Sequence, residues 1–363
     1  MRDSLEIAPP PPASAPLAAS PMGAPAPSRA AVRKALALGL FAALIWGGYL
    51  AYSRYGVTQG LEPPDFALLR YGVAGLVMLP WLLRRGFFTL AGVGWPHGLV
   101  LTFCAGPLFM LLLSAGYLFA PLAHGTVIPP SVMVVSTMLL AGLVLGDWPP
   151  KTRLIGIAVI VTGLACVAGG GLLTSKGEQT WIGDILFATA APLWAVFTVL
   201  QRRWGHTPMQ ATAVMSVLSM LFLLPPFVIF AGFDRLLAIP RHDLVLQIVV
   251  QGLLSGVLAV VAFAAAVQLL GASRSAVFPA LVPGTGILIG IPLTGEWPSP
   301  LQWLGIGLVT AGLIVALGVK LPFVARVPVL PCRGGETLLR KLFEPLCGYH
   351  GHRGEKTLSI RTK

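Results

Sequence analysis

The side chains with the strongest chemical claims in this chain lie inside apolar surroundings. Arg70 falls within "PPDFALLRYGVAGLVMLP", residues 63–80. On insertion scales an arginine at the bilayer centre costs about 2.5–3.5 kcal/mol. Its side chain therefore either snorkels to the nearer surface or faces a cavity, where it anchors an anionic group or fixes the bundle. His124 lies near the start of another apolar run. Histidine titrates near physiological pH, so it can carry a proton, or simply complete a hydrogen bond. Trp46, Tyr49 and Tyr52 recur at three-residue spacing, and Trp194 lies deep in a later segment. Interface belts sit at helix ends. Trp46 and Trp194 are too deep for that, so they are packing residues or walls for an apolar or aromatic ligand. Gln251 can hydrogen-bond a ligand or a neighbouring helix. Pro129 and Pro130 interrupt one apolar segment, and Pro279 and Pro283 interrupt another. Each proline removes a backbone donor and clashes with the preceding turn.

Other chemistry finds less support. No carboxylate falls mid-segment: Asp147, Asp184 and Glu296 all sit near segment ends. A carboxylate-based proton relay is therefore not indicated. Cys104 and Cys166 lie in apolar segments, and Cys332 and Cys347 in a polar tail. No disulfide is expected if that tail is cytoplasmic. Cys332, Cys347, His350 and His352 are ligand types, but their spacing fits no zinc module. No metal and no cofactor is expected.

The elements that must position these groups follow from composition. The chain has 363 residues, of which 56% are hydrophobic and 10% charged. Its mean hydropathy is +0.82. Soluble domains carry roughly 25% charged residues. The apolar residues come in blocks of about 20, the length of a membrane-spanning helix. Outer-membrane barrels are excluded, because their strands alternate polar and apolar residues. The chain reads as an all-α polytopic membrane protein with ten transmembrane helices, near 34–55, 64–84, 97–116, 121–144, 153–173, 180–203, 209–231, 244–267, 272–294 and 300–320. The break between the third and fourth, "FAPLAHG", is short. Residues 1–33 are Pro/Ala-rich and expected to be disordered, without the pattern of a signal peptide. Residues 321–363 form a polar, basic tail.

The chain is doubled. "GDWPPKTRLIGIAVIVTGLACVAGG" (146–170) aligns without a gap on "GEWPSPLQWLGIGLVTAGLIVALGV" (295–319), 149 residues later. Gly146, Trp148, Pro149, Gly156, Gly163 and Gly169 meet Gly295, Trp297, Pro298, Gly305, Gly312 and Gly318, and Pro130 meets Pro279. Each half, 34–173 and 174–320, then holds five spanning helices. Five is odd, so the second half enters the membrane inverted, the architecture of many secondary transporters. With a cytoplasmic N-terminus, ten Lys and Arg residues fall on inner connections and ends, against Arg54, Lys176, Arg235 and Arg241 outside. The positive-inside rule places both termini in the cytoplasm. The net charge of +12 is then mostly a topology signal with a basic tail, rather than a nucleic-acid surface.

These stretches resemble the drug/metabolite transporter superfamily, specifically the EamA-type ten-helix transporters. "LIWGGYLAYSRYG" is similar to that family's first helix, and "PPDFALLRYGVAGLVMLP" to its second. "PLWAVFTVLQRRWG" resembles the opening helix of the second half, and "ASRSAVFPALVPGTGILIGIPLTGEWPSPLQWLGIGLVTAGL" the last two. The likeness spans about residues 34–320 and leaves both tails outside. It implies a transporter and says little about cargo, which varies across the family.

The expected function is secondary transport by alternating access, most simply export of a small amino-acid-like, carboxylate-bearing or aromatic metabolite. The expected site is a midplane cavity walled by Trp46, Tyr49, Arg70, His124, Trp194 and Gln251, with Pro130 and Pro279 bending two helices around it. Expected partners are a small-molecule substrate and the lipid bilayer, with a homodimer left open and no nucleic acid. A membrane-embedded enzyme would need a nucleophile and base or a metal cluster at membrane depth, and the apolar segments show no His-Glu-x-x-His, paired carboxylates or Gly-x-Ser-x-Gly. A non-transporting scaffold or sensor using the tails is the alternative. The Ala/Gly/Leu-rich style, with 18 Arg against 7 Lys, suits a bacterial inner membrane.

Overall fold

The computed structural model describes residues 29–173 and 179–318, all within one compact unit. The tails and the C-terminal Cys/His group lie outside the described residues. The order is α1 (Arg29–Thr58), α2 (Pro63–Arg85), α3 (Trp95–Ala105), α4 (Pro107–Phe119), α5 (Leu122–Leu145), α6 (Lys151–Leu173), α7 (Thr180–Arg203) and α8 (Pro208–Pro226). Then follow α9 (Asp234–Ala238), α10 (Arg241–Gln247), a π-helical stretch Ile248–Leu258, α11 (Ala259–Leu270), α12 (Ala272–Ser275), α13 (Val277–Ala280), α14 (Val282–Thr294) and α15 (Pro300–Ala316). No strand occurs among the described residues. Among the described residues, eight helical spans are long and apolar enough to cross a membrane, counting Trp95–Phe119 and Arg241–Leu270 as one each, and Val282–Thr294 and Pro300–Ala316 are shorter apolar helices.

Helix ends follow local chemistry. Thr207 and Ser299 each precede a proline and cap α8 and α15, with Gln210 and Gln302 reaching back to complete the box. Gly146 and Gly295, the paired glycines of the doubled motif, both terminate helices in the left-handed region, at φ 71° and 70°. A side chain there would clash with its own carbonyl, so glycine is the natural stop.

Four details differ from the sequence expectation. The first helix begins at Arg29, inside the stretch expected to be disordered. The third span is two helices, α3 and α4, hinged at Gly106 before Pro107. The stretch 272–294 is broken into three helices around Pro279 and Pro283. By contrast, α5 runs unbroken through Pro129 and Pro130, and Ser131 beyond them donates to the Val127 carbonyl at 2.6 Å.

Between lipid and protein there is no hydrophobic gradient, so packing depends on close approach. The seam of α6 and α15 shows this. A Cβ on Gly163 would lie 2.8 Å from the Gly305 carbonyl, and one on Gly305 would lie 2.7 Å from the Gly163 carbonyl. Gly156 and Gly312 face each other in the same reciprocal way. Elsewhere α5 packs on α7 as α14 packs on α1, and α4 packs on α7 as α11 packs on α1. Leu143, Ile229, Phe230 and Leu288 are exposed on the outside of the bundle, where lipid would cover them.

A cavity around Arg70 and a latched end

The cavity lies between α1, α2, α4, α5, α7, α13 and α14 and measures about 180 Å³. On α1, Trp46, Tyr49 and Leu50 face it, an i, i+3, i+4 stripe. Tyr52 does not line it and instead meets Tyr55 edge-on at 6.2 Å. Three-residue steps fall about 60° short of a full turn, so the aromatic spacing drifts off the face within two steps. Trp194 of α7 stacks at a tilt on Phe109 of α4, their centroids 5.0 Å apart. Pro129 and Pro130 of α5 and Pro279 of α13 complete the wall.

Arg70 is the charge on this wall. It is 6% exposed. Its Nη1 donates to Ser255 Oγ at 2.8 Å, and its guanidinium lies 4.8 Å from the Tyr49 ring centroid. Nε is buried without a hydrogen-bond partner, and no carboxylate of a described residue pairs with the group. Ser255 belongs to the π-helical stretch, as does Gly252, where a Cβ would lie 2.7 Å from the Leu69 carbonyl. The missing side chain lets that stretch press on α2 and brings Ser255 to Arg70. π turns often mark functional positions in helices. The cavity is thus mostly aromatic and aliphatic, with one desolvated cation on its wall.

Trp46, Tyr49, Arg70, Pro130, Trp194 and Pro279 line this cavity together. His124 and Gln251, singled out with them, are placed elsewhere. Gln251 Nε2 donates to Ser53 Oγ at 3.1 Å and to Gln247 Oε1 at 3.2 Å. His124 Nδ1 lies 2.7 Å from Asp184 Oδ1, and its Nε2 lies 3.3 Å from Gln302 Nε2. Phe109, Leu113 and Met133, which also line the cavity, carry no sequence signal separating them from lipid-facing residues.

Of the segment-end carboxylates, Glu296 and Asp184 have partners on other helices. Glu296, between α14 and α15, accepts Arg54 Nε at 2.7 Å and the Leu122 backbone N–H at 2.7 Å. Arg54 also donates to the Tyr117 carbonyl at 2.5 Å. Arg235 pairs with Asp65 at 3.0 Å, and Tyr55 donates to Asp243 at 3.1 Å. These contacts gather at the end of the bundle where α1 finishes and α2, α5, α7, α10 and α15 begin. At the opposite end His97 stacks on Trp204, 3.9 Å between centroids, and its Nδ1 lies 3.0 Å from His206 Nε2. Burial, and then the adjacent His97, hold His206 below the ordinary imidazole range. Every ion pair among the described residues lies at the Arg54 end.

Apolar spans packed around a cavity with one buried charge are those of a multi-pass membrane protein. The chain belongs to the EamA-like transporter family, whose model matches residues 33–169 and 181–318. It is 26% identical over 286 residues to an uncharacterized transporter of Archaeoglobus fulgidus, covering 77% of this chain and 93% of that one. It is also 26% identical over 295 residues to the uncharacterized inner membrane transporter YedA of Escherichia coli, covering 79% and 92%. A solved crystal structure superposes with a TM-score of 0.54 at 18% identity, covering 78% of this chain and 96% of its own, a likeness of fold.

Proposed function

We propose that the chain is a secondary transporter that exports a small carboxylate-bearing or aromatic metabolite across a bacterial inner membrane by alternating access. The carrying observation is Arg70: a buried guanidinium on the cavity wall with an unpartnered Nε and no carboxylate of a described residue paired with it. Leaving such a group unpaired is costly, and a guest carboxylate would remove that cost. Trp46, Tyr49 and Trp194 offer flat apolar walls for the rest of the guest.

Alternating access needs two halves that can exchange roles. The reciprocal contacts Gly156–Gly312 and Gly163–Gly305 are what an antiparallel two-fold relation between α6 and α15 requires. The matched packing of α5 on α7 and α14 on α1 supports the same inverted repeat of residues 34–173 and 174–320. The Lys/Arg asymmetry supports cytoplasmic termini. On that reading the Arg54 end is external and latched.

The test is flux. The full-length protein in vesicles preloaded with amino acids, aromatic acids and nucleobases should exchange at least one carboxylate-bearing compound. Arg70→Ala should abolish that exchange at normal membrane insertion, and Arg70→Lys should retain part of it, supplying charge without the planar fork. Normal exchange by Arg70→Ala removes Arg70 from the site.

A further inference from the structure

The chain Asp184–His124–Gln302, outside the cavity, in which His124 and Gln302 are buried and Asp184 is half-buried, has a defined proton state. His124 is 0% exposed. Gln302 cannot choose its amide orientation freely, because its Oε1 accepts the Ser299 backbone N–H at 2.8 Å in the cap of α15. Its NH2 group therefore faces His124 Nε2, at 3.3 Å. Nε2 must then accept, and Nδ1 must carry the proton that it donates to Asp184, at 2.7 Å. The imidazole is neutral in this conformation, and it ties α5 to both α7 and α15.

A proton added at Nε2 would set an N–H against an NH2 group. Gln302 could turn to accept it only by abandoning its cap. Asp184 would meanwhile gain an ion pair, so protonation strengthens the contact to α7 and breaks the one to α15. The charges around His124 permit this. From α7 comes Asp184. From α1 comes Arg54, neutralised by Glu296 just beyond α14. α14 and α15 carry no titratable side chain, α4 contributes Tyr117, and α6 offers Cys166 on its half toward this end. The first turn of α5, where His124 sits, opposes the added positive charge through the helix dipole.

We infer that His124 is a proton-binding site whose occupancy releases α15 from α5 at the Arg54 end. Coupling of that proton to cargo movement rests on the transporter reading above; the release itself does not.

Spin labels at Gln179→Cys and Trp297→Cys, both exposed, report the separation of α7 from the start of α15. The full-length chain, with its four native cysteines replaced by serine, is placed in lipid vesicles. Double electron–electron resonance is recorded between about pH 8 and about pH 5, the window in which histidine changes charge. The longer-distance population should grow on the order of tenfold on acidification, as expected when a buried hydrogen bond is lost. His124→Gln should hold the short distance throughout. Asp184→Asn, which keeps an acceptor and removes the counter-charge, should shrink the acid-induced growth of the longer-distance population. An unchanged distance with His124 present, or the same acid response in His124→Gln, overturns the inference. So does an undiminished acid response in Asp184→Asn, should His124→Gln fail to insert. Because no cargo is needed, failure here leaves the transporter reading standing. Absent flux with an intact distance response would fault that reading instead.

Discussion

Glu296→Gln should open the latched end of the bundle. One Glu296 oxygen takes both Arg54 Nε and Nη2, at 2.7 and 2.6 Å, and the other takes the Leu122 N–H, at 2.7 Å. The glutamine keeps one acceptor oxygen and must turn its NH2 group toward either Arg54 or the Leu122 N–H. It therefore loses the ion pair and at least one hydrogen bond. A charge-assisted hydrogen bond contributes about 1.5–3 kcal/mol, whereas exposed ion pairs contribute about 0–1 kcal/mol. The side chains of Arg54 and Glu296 are 19% and 26% exposed, between those limits. A loss of about 2 kcal/mol is the reasonable middle, equivalent to roughly a 30-fold shift of the closed–open equilibrium. The assay is labelling of a cysteine placed at Met133, on the cavity wall, by a membrane-impermeant maleimide added from the Arg54 side. If opening precedes labelling, the rate should rise roughly 30-fold in Glu296→Gln. An unchanged rate, with insertion normal, would show that the latch does not hold this end shut.

Two further outcomes follow from packing and charge. Gly163→Leu should lower stability in detergent by about 1–3 kcal/mol, because its Cβ meets Gly305 and Val309 of α15 at 2.8 Å; Gly307→Leu, where a Cβ meets nothing within 4 Å, should be near neutral in the same thermal unfolding measurement. At the other end, His206 titrates below its ordinary value because burial and His97 disfavour its charged form. The unfolded chain binds the proton more readily, so this contact contributes fully above about pH 6.5 and is lost as pH falls through the depressed value. Hydrogen-exchange protection factors at residues 204–207 and 209–210, corrected for the base-catalysed intrinsic rate, should fall on acidification in the native protein, and His206→Gln should flatten that dependence.

Because a bilayer leaves a backbone little choice, the sequence by itself marked the apolar helical segments, though not where the helices begin and break. It also paired Gly146 with Gly295 at equivalent points of a doubled motif, and the structure shows both as left-handed helix ends. It marked Arg70 and the deep aromatics Trp46 and Trp194 as residues needing an explanation, since charge and depth are readable from spacing alone. Tertiary structure decided what each residue faces. In a membrane helix both the lipid side and the protein side are apolar, so no periodicity tells Phe109 on the cavity wall from Phe230 in the lipid-facing belt. Nor does local sequence join Arg54 to Glu296, 242 residues away, or turn two segment-end carboxylates into a latch and a histidine partner. Those pairings depend on which helix ends the fold brings together, and only packing at the glycine seams fixes that.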